Sequence, residues 1–170
     1  MNQFNKSCLE TWGLDLVNKY PLIFTEGVEE QTDKFYPSDI SLRVHLRYGF
    51  ECKEGWFKII DTISKTGTEL VLSLRKNGYK EEEAYIHSCI VKEKFGTLRW
   101  QGFYKLPDPF DMLWRTFLVA QEDSSAFICE ITGEYGKTYT TKNGGERAWH
   151  RTLCLDKAKE LGYDTKEILD

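Results

Sequence analysis

Proline, methionine and histidine are scarce in this 170-residue chain, at four, two and three residues. No apolar run approaches the roughly 20 residues that a membrane-crossing helix needs. The N-terminal segment MNQFNKSCLETWGLDL has no basic stretch followed by an apolar one, so a secretory leader is not expected and a cytoplasmic location is. Five cysteines, Cys8, Cys52, Cys89, Cys129 and Cys154, are odd in number and widely spread, which fits reduced thiols better than a disulfide framework. Charge of one sign is lacking too. With 27 acidic and 23 basic residues interspersed and a net charge of -4, the broad basic surface of a non-specific nucleic-acid binder is not expected. Motifs of catalysis are equally sparse: there is no G-x-S-x-G elbow, phosphate-binding loop, H-E-x2-H or zinc-deaminase pattern. His45, His87 and His150 are isolated imidazoles, and the pairs Cys89 with His87 and Cys52 with His45 read as structural residues. An enzyme is therefore the least expected class.

What is present in quantity is aromatic. Five Trp, nine Tyr and ten Phe make up 14% of the chain, so large rings supply the core of one domain without help from disulfides or metals. Ser7 is placed to cap a first helix whose face is Leu9, Trp12 and Leu16 and which ends before Pro21. The polar stretch 26–39 reads as a loop. Trp56, Ile59, Ile60, Ile63, Leu70 and Leu74 recur at helical spacing, giving one long helix or two broken near Gly67, with Gly78 terminating it after Asn77.

From 84 to 104, β-branched and aromatic residues interrupted by Gly96 predict a two-stranded hairpin, with Lys92, Glu93 and Lys94 at or near its turn. The next segment, PDPFDMLWRTFLVAQ, carries a strong helix signal: Asp108 as cap, Pro109 at the first position, and an apolar stripe of Phe110, Leu113, Trp114, Phe117 and Leu118. The chain from Ser124 is Gly-rich with short strands and a helix from about Leu155. The expected fold is thus α+β: several helices, a central hairpin or small antiparallel sheet, and a C-terminal unit, with 1–123 as the body and 124–170 packed on it as part of one folding unit.

Structural zinc is held by paired ligands in tight turns, commonly C-x2-C or C-x2-H. Two turns of this shape occur, CEITG and CLDKA, but each has one thiol. Thr132 follows Cys129 and Lys157 follows Cys154 at the spacing where a second ligand belongs. Neither Thr nor Lys replaces a soft ligand.

The segments YGFECKEGWFKIID, VKEKFGTLRW and ICEITGEYG…WHRTLC, in this order over 48–158, resemble a family of small proteins encoded mainly by bacteriophages and prophages. That family's pattern runs YGFECxxGW, VKEKFGxLRF and a terminal CxxCGxxG…GWxRTLCxxHA zinc knuckle. The resemblance implies a knuckle frame here, supported by Gly133, Gly136, Trp149, Thr152 and Leu153, in which the ligand positions fall on Cys129, Thr132, Cys154 and Lys157. Half of the ligands are gone, so no cofactor is expected. A rebuilt zinc site would draw on Cys129, His150 and Cys154, with His150 and Cys154 facing one way if their segment were helical.

The hairpin mixes rings and cations in Lys92, Lys94, Phe95, Arg99 and Trp100, residue types that stack on and neutralise a ligand. These five are the candidate binding surface. Together with the resemblance they imply a phage accessory protein in the bacterial cytosol, binding a host or defence-system protein. A small-nucleotide sponge and a nucleic-acid binder are the alternatives, and no membrane partner is expected.

Overall fold

The computed structural model describes residues 10–25, 49–141 and 148–165. Its first helix, α1 (Thr11–Lys19), buries Trp12 and Leu16 of the predicted face, with Val17 buried beside them. It stops before Pro21, whose ring disfavours a helical conformation at Tyr20. Pro21 then opens a single turn, α2 (Pro21–Phe24), at the position where its missing N–H costs nothing, and Leu22, Ile23 and Phe24 are buried. Ser7, Cys8, Leu9, His45 and the 26–39 loop lie outside the described residues.

A 3-10 turn at Glu54–Trp56 leads into α3 (Phe57–Lys76), which is one unbroken helix. Gly67 does not divide it. A Cβ at Gly67 would come within 3.0 Å of the Trp114 ring and 3.2 Å of Ile23, so the glycine lets the helix close on its neighbours. Glycine inside a helix costs about 1 kcal/mol relative to Ala, which this close packing offsets. The helix ends as its sequence predicts: Gly78 has a φ of 97°, its N–H bonds the Arg75 carbonyl, and the Tyr79 N–H bonds the Leu74 carbonyl.

The first sheet has the order β1 (Phe50–Glu51), β2 (Tyr85–Lys94), β3 (Thr97–Lys105), with β1 parallel and β3 antiparallel to β2. Phe95 and Gly96 form the hairpin turn, with φ of 56° and 81°, and Lys92, Glu93 and Lys94 are the last residues of β2. Two successive left-handed residues match the twist of the flanking strands. A register slip between Ser88 and Ile90 leaves Cys89 as the extra residue of a bulge. Gly102 sits opposite Ser88, where any side chain would overlap the His87 carbonyl. The outer edge of β3 is capped by side chains: the Leu98 N–H donates to Ser125 Oγ and the Trp100 N–H to Glu122 Oε1, both at 2.8 Å. That blunts a strand edge which would otherwise be open to pairing.

Both capping residues come from the end of α4 (Phe110–Ser124) or the turn after it. This helix starts one residue later than its sequence predicts. The Phe110 N–H bonds the Pro107 carbonyl at 2.8 Å, closing a turn first, so Pro109 is the cap residue and Asp108 makes no cap bond. The Asp108–Pro109 peptide is cis. Trp114 and Leu118 are buried, with Phe110 and Phe117 partly so, but Leu113 is 54% exposed. The docking ridge runs through positions i, i+4, i+7 and i+8 from Phe110, and Leu113 falls off its side.

The main core gathers Trp12, Leu16, Phe24, Trp56, Ile60, Ile63, Ile86, Leu98, Trp100 and Trp114 between the helices and the first sheet. Trp100 meets Trp114 edge to face at 5.8 Å. After a 3-10 turn at Ser125–Phe127, a second antiparallel sheet has the order β5 (His150–Leu153), β4 (Lys137–Thr141), β6 (Tyr163–Asp164), with α5 (Leu155–Glu160) between β5 and β6 in sequence. Its own core is small: Cys129, Leu153, Ala158 and Tyr163. The whole is an α+β fold with two small sheets, and among the described residues no helix is long and apolar enough to cross a membrane.

Candidate functional site

The two turns suspected of a knuckle come together. The N–H groups of Ile131, Thr132 and Cys154 and the hydroxyl of Thr132 converge on the Cys129 sulfur. Burial by itself would raise this thiol's pKa, but these donors outweigh it and hold the pKa below that of an ordinary cysteine. The Thr132 hydroxyl also lies 3.9 Å from the Cys154 sulfur. Lys157 has swung out to Glu160, at 2.6 Å, while its positive charge still acts on both sulfurs.

His150 is not part of this group. It lies on a strand, not a helix, and its Nδ1 pairs with Thr140 Oγ1 at 3.0 Å. The helical geometry that would bring His150 beside Cys154 is therefore corrected. Among the described residues, no group of three or more His, Cys, Asp or Glu is placed to hold a metal ion.

The three sequence segments singled out above meet at one joint. Gly55, from ECKEGW, donates its N–H to the Glu130 carbonyl at 2.8 Å, and the Trp56 indole donates to the Ile128 carbonyl at 2.8 Å. A side chain at Gly55 would overlap the Cys129 and Glu130 carbonyls. Gly96, from KEKFG, accepts a hydrogen bond from the buried Thr152 hydroxyl, which also pairs with Thr138 at 3.0 Å. At the centre, Glu130 is almost fully buried and bonds Arg151 Nε at 2.8 Å. Glu93 is close enough to feel Glu130, Arg151 and His150; burial and the charge of Glu130 raise its pKa, against a bond from the Gly96 N–H. The spacing of these motifs therefore serves a docking of backbones. Arg151 stands within the WHRTLC segment, but nothing in the sequence pairs it with Glu130, because partners 21 residues apart on separate elements leave no periodic mark.

The five hairpin residues separate into two faces. Lys92 pairs in register with Arg99 and Lys94 with Thr97, so Lys92, Lys94 and Arg99 share the outer face. Trp100 pairs with Val91 on the opposite face and is buried against Trp114, which removes it from any binding surface. Phe95 stands at the turn, 69% exposed, with Lys94 Nζ 5.4 Å from its ring centre. Arg99 lies 3.8 Å from Glu122 and hydrogen-bonds the Leu98 carbonyl, so its charge is partly engaged.

Other rings are exposed, Trp149 among them although the resemblance gave it a supporting place in the knuckle frame. Phe127 and Tyr135 sit beside the Ile128–Tyr135 bridge, and Trp149 precedes β5. The 3-10 turn bearing Phe127 touches both β3 and β4, so the hairpin and the second sheet expose rings from adjoining elements. Exposure is legible only once the core is known, since buried and exposed rings look alike in a sequence.

The other two described thiols, Cys52 and Cys89, are poor nucleophiles. Burial pushes Cys89 up to about 12 and Cys52 higher still, so both are neutral thiols at physiological pH. His87 is buried and stacks on Tyr85 at 5.2 Å. Comparison with protein-family models, curated proteins and solved structures found no match to this chain.

Proposed function

We propose that this chain is a phage-encoded accessory protein that binds a host or defence-system protein through its hairpin tip, as an inhibitor of bacterial immunity such as an anti-CRISPR would. The phage setting rests on the resemblance of the three segments. The binding edge rests on Phe95: a phenylalanine held at a φ of 56°, a conformation costly for a bulky side chain, with its ring left in solvent. A large ring spent in this way gains nothing for the fold and is suited to a partner's pocket. Lys92, Lys94 and Arg99 beside it favour a partner surface that carries acidic groups. A protein partner suits the edge better than a stacked nucleotide, because Trp100, the second ring of the hairpin, faces the core.

Affinity capture from host lysate with quantitative mass spectrometry tests the reading, comparing the native chain with Phe95→Asn and Lys94→Glu. Asparagine tolerates the left-handed turn, so the first variant keeps the hairpin. One or a few proteins are expected to be enriched by the native chain and reduced at least about tenfold by Phe95→Asn, in line with loss of a buried aromatic anchor. Equal enrichment by all three chains rejects the hairpin tip as the binding edge. No enrichment in several hosts, together with a thermal shift from a cyclic nucleotide, would transfer the edge to a small ligand.

A further inference from the structure

Cys129 and Cys154 lie in different turns yet share one polar neighbourhood. The N–H of Cys154 itself points at the Cys129 sulfur, and the Thr132 hydroxyl faces both sulfurs. The turns are pinned on either side: the Glu130 N–H bonds the Thr152 carbonyl at 2.9 Å, the Gly133 N–H bonds the Cys129 carbonyl at 2.9 Å, and the Ala158 N–H bonds the Cys154 carbonyl at 3.0 Å. Their accessibilities differ, for Cys129 has no exposed surface whereas Cys154 is half-buried. Glycine at position 136 keeps the Cys129 backbone close to that of Leu153, since a Cβ there would lie 2.8 Å from the Cys129 nitrogen and 3.0 Å from the Leu153 carbonyl oxygen.

We propose that Cys129 and Cys154 form a dithiol site that low-molecular-weight disulfides oxidise to an intramolecular disulfide. Burial assigns the order of events. The half-buried Cys154 sulfur loses its proton to solvent and attacks one sulfur of the disulfide RSSR, forming a mixed disulfide and releasing one thiolate RS⁻. The enclosed Cys129 sulfur, as thiolate, then attacks the Cys154 sulfur, forming the Cys129–Cys154 bond and releasing the second RS⁻. The two protons given up by the cysteines end on two molecules of RSH. The protein loses two electrons and RSSR gains them.

The hydrogen-bond donors around Cys129 hold the negative charge of the attacking sulfur, and Lys157, one turn along α5 from Cys154, adds a positive charge near both sulfurs. Closure requires rotation of the two cysteine side chains, whose sulfurs already share the Thr132 hydroxyl. Burial keeps Cys52 and Cys89 as neutral thiols, Cys89 in spite of a backbone hydrogen bond at Phe103, and both stay outside this chemistry. The site is independent of the hairpin tip.

The test is equilibration of the full chain in glutathione buffers of graded ratio, trapping of free thiols by alkylation, and peptide mapping by mass spectrometry. A Cys129–Cys154 cross-linked peptide is expected, appearing with a two-electron dependence while Cys52 and Cys89 are alkylated as thiols. In Cys154→Ser, Cys129 should be modified by oxidised glutathione at least about tenfold more slowly than the pair reacts in the native chain, because it is shielded. The native chain decides by itself if that variant misfolds. A stable mixed disulfide on Cys154 with Cys129 free at every ratio overturns the proposal, as does direct glutathionylation of Cys129 at the native rate or oxidation of Cys52 and Cys89 first.

Discussion

The body and the C-terminal unit are held together by different physics. In the body, four buried tryptophans and a row of isoleucines and leucines exclude water over a large contiguous core, and polar contacts mostly finish edges and helix ends. Among the described residues, the C-terminal unit has four buried apolar residues in its own core and relies on a buried ion pair, a threonine pair and backbone docking against the body. A unit with so little apolar surface cannot offset its chain entropy by burial alone. It is docked on the body through Gly55, Trp56 and Gly96, so the two regions are expected to unfold together.

The hardest blow to this arrangement is Trp56→Ala, since Trp56 is both a fully buried core ring and the donor to the Ile128 carbonyl. We expect a loss of about 3–5 kcal/mol by urea denaturation, with one transition seen by both fluorescence and far-ultraviolet dichroism. Two separated transitions would mean that the regions fold independently. Arg151→Met strands the buried Glu130 carboxylate and should cost about 3 kcal/mol, a penalty with no counterpart among the body's exposed ion pairs. Gly55→Ala forces backbones apart at the joint and should cost about 1–3 kcal/mol; a silent substitution there would show that the joint yields.

Two smaller effects separate the regions by pH. In the body, burial would raise the pKa of Asp61, but hydrogen bonds from Lys19 at 2.7 Å and Tyr20 at 2.9 Å hold it below the ordinary carboxylate value. A depressed carboxyl stabilises the fold above its unfolded pKa, about 4, and loses that contribution as pH falls through the folded value. Asp61→Asn should flatten the acid limb of stability by about 0.5 kcal/mol, small because the pair meets solvent. At the joint, Glu93 has the opposite sign. Burial raises its pKa, so its favourable contribution is present at low pH and is lost as pH rises through the folded value. Glu93→Gln should therefore be neutral or stabilising by about 0.5 kcal/mol at pH 7 and without benefit near pH 4, as measured by thermal melts in matched ionic strength.

Much of the body was legible residue by residue. The helical spacing of Trp56, Ile60 and Ile63, the stop at Gly78, and the hairpin around Gly96 follow from local rules, and the structure agrees. Misjudgements occurred where a local signal had two readings. Leu113 lies one position off the docking ridge and Pro109 precedes the helix it was expected to open, while Gly67, where one long helix and two broken ones were both open, marks a close approach within a single helix. His150 illustrates the larger difficulty, because a spacing of four has meaning only if the segment is a helix, and it is a strand.

Composition, the ends of α1 and α3 and the hairpin turn were determined by the sequence alone, because periodicity and the backbone preferences of glycine and proline act between near neighbours. Only the tertiary structure decided which ring of the hairpin meets solvent, that Glu130 and Arg151 form the buried centre of the joint, and that the Cys129 sulfur is enclosed by donors within reach of Cys154. Those outcomes depend on which faces meet across elements far apart in the chain. That is a property of the whole packing, carried by no single segment.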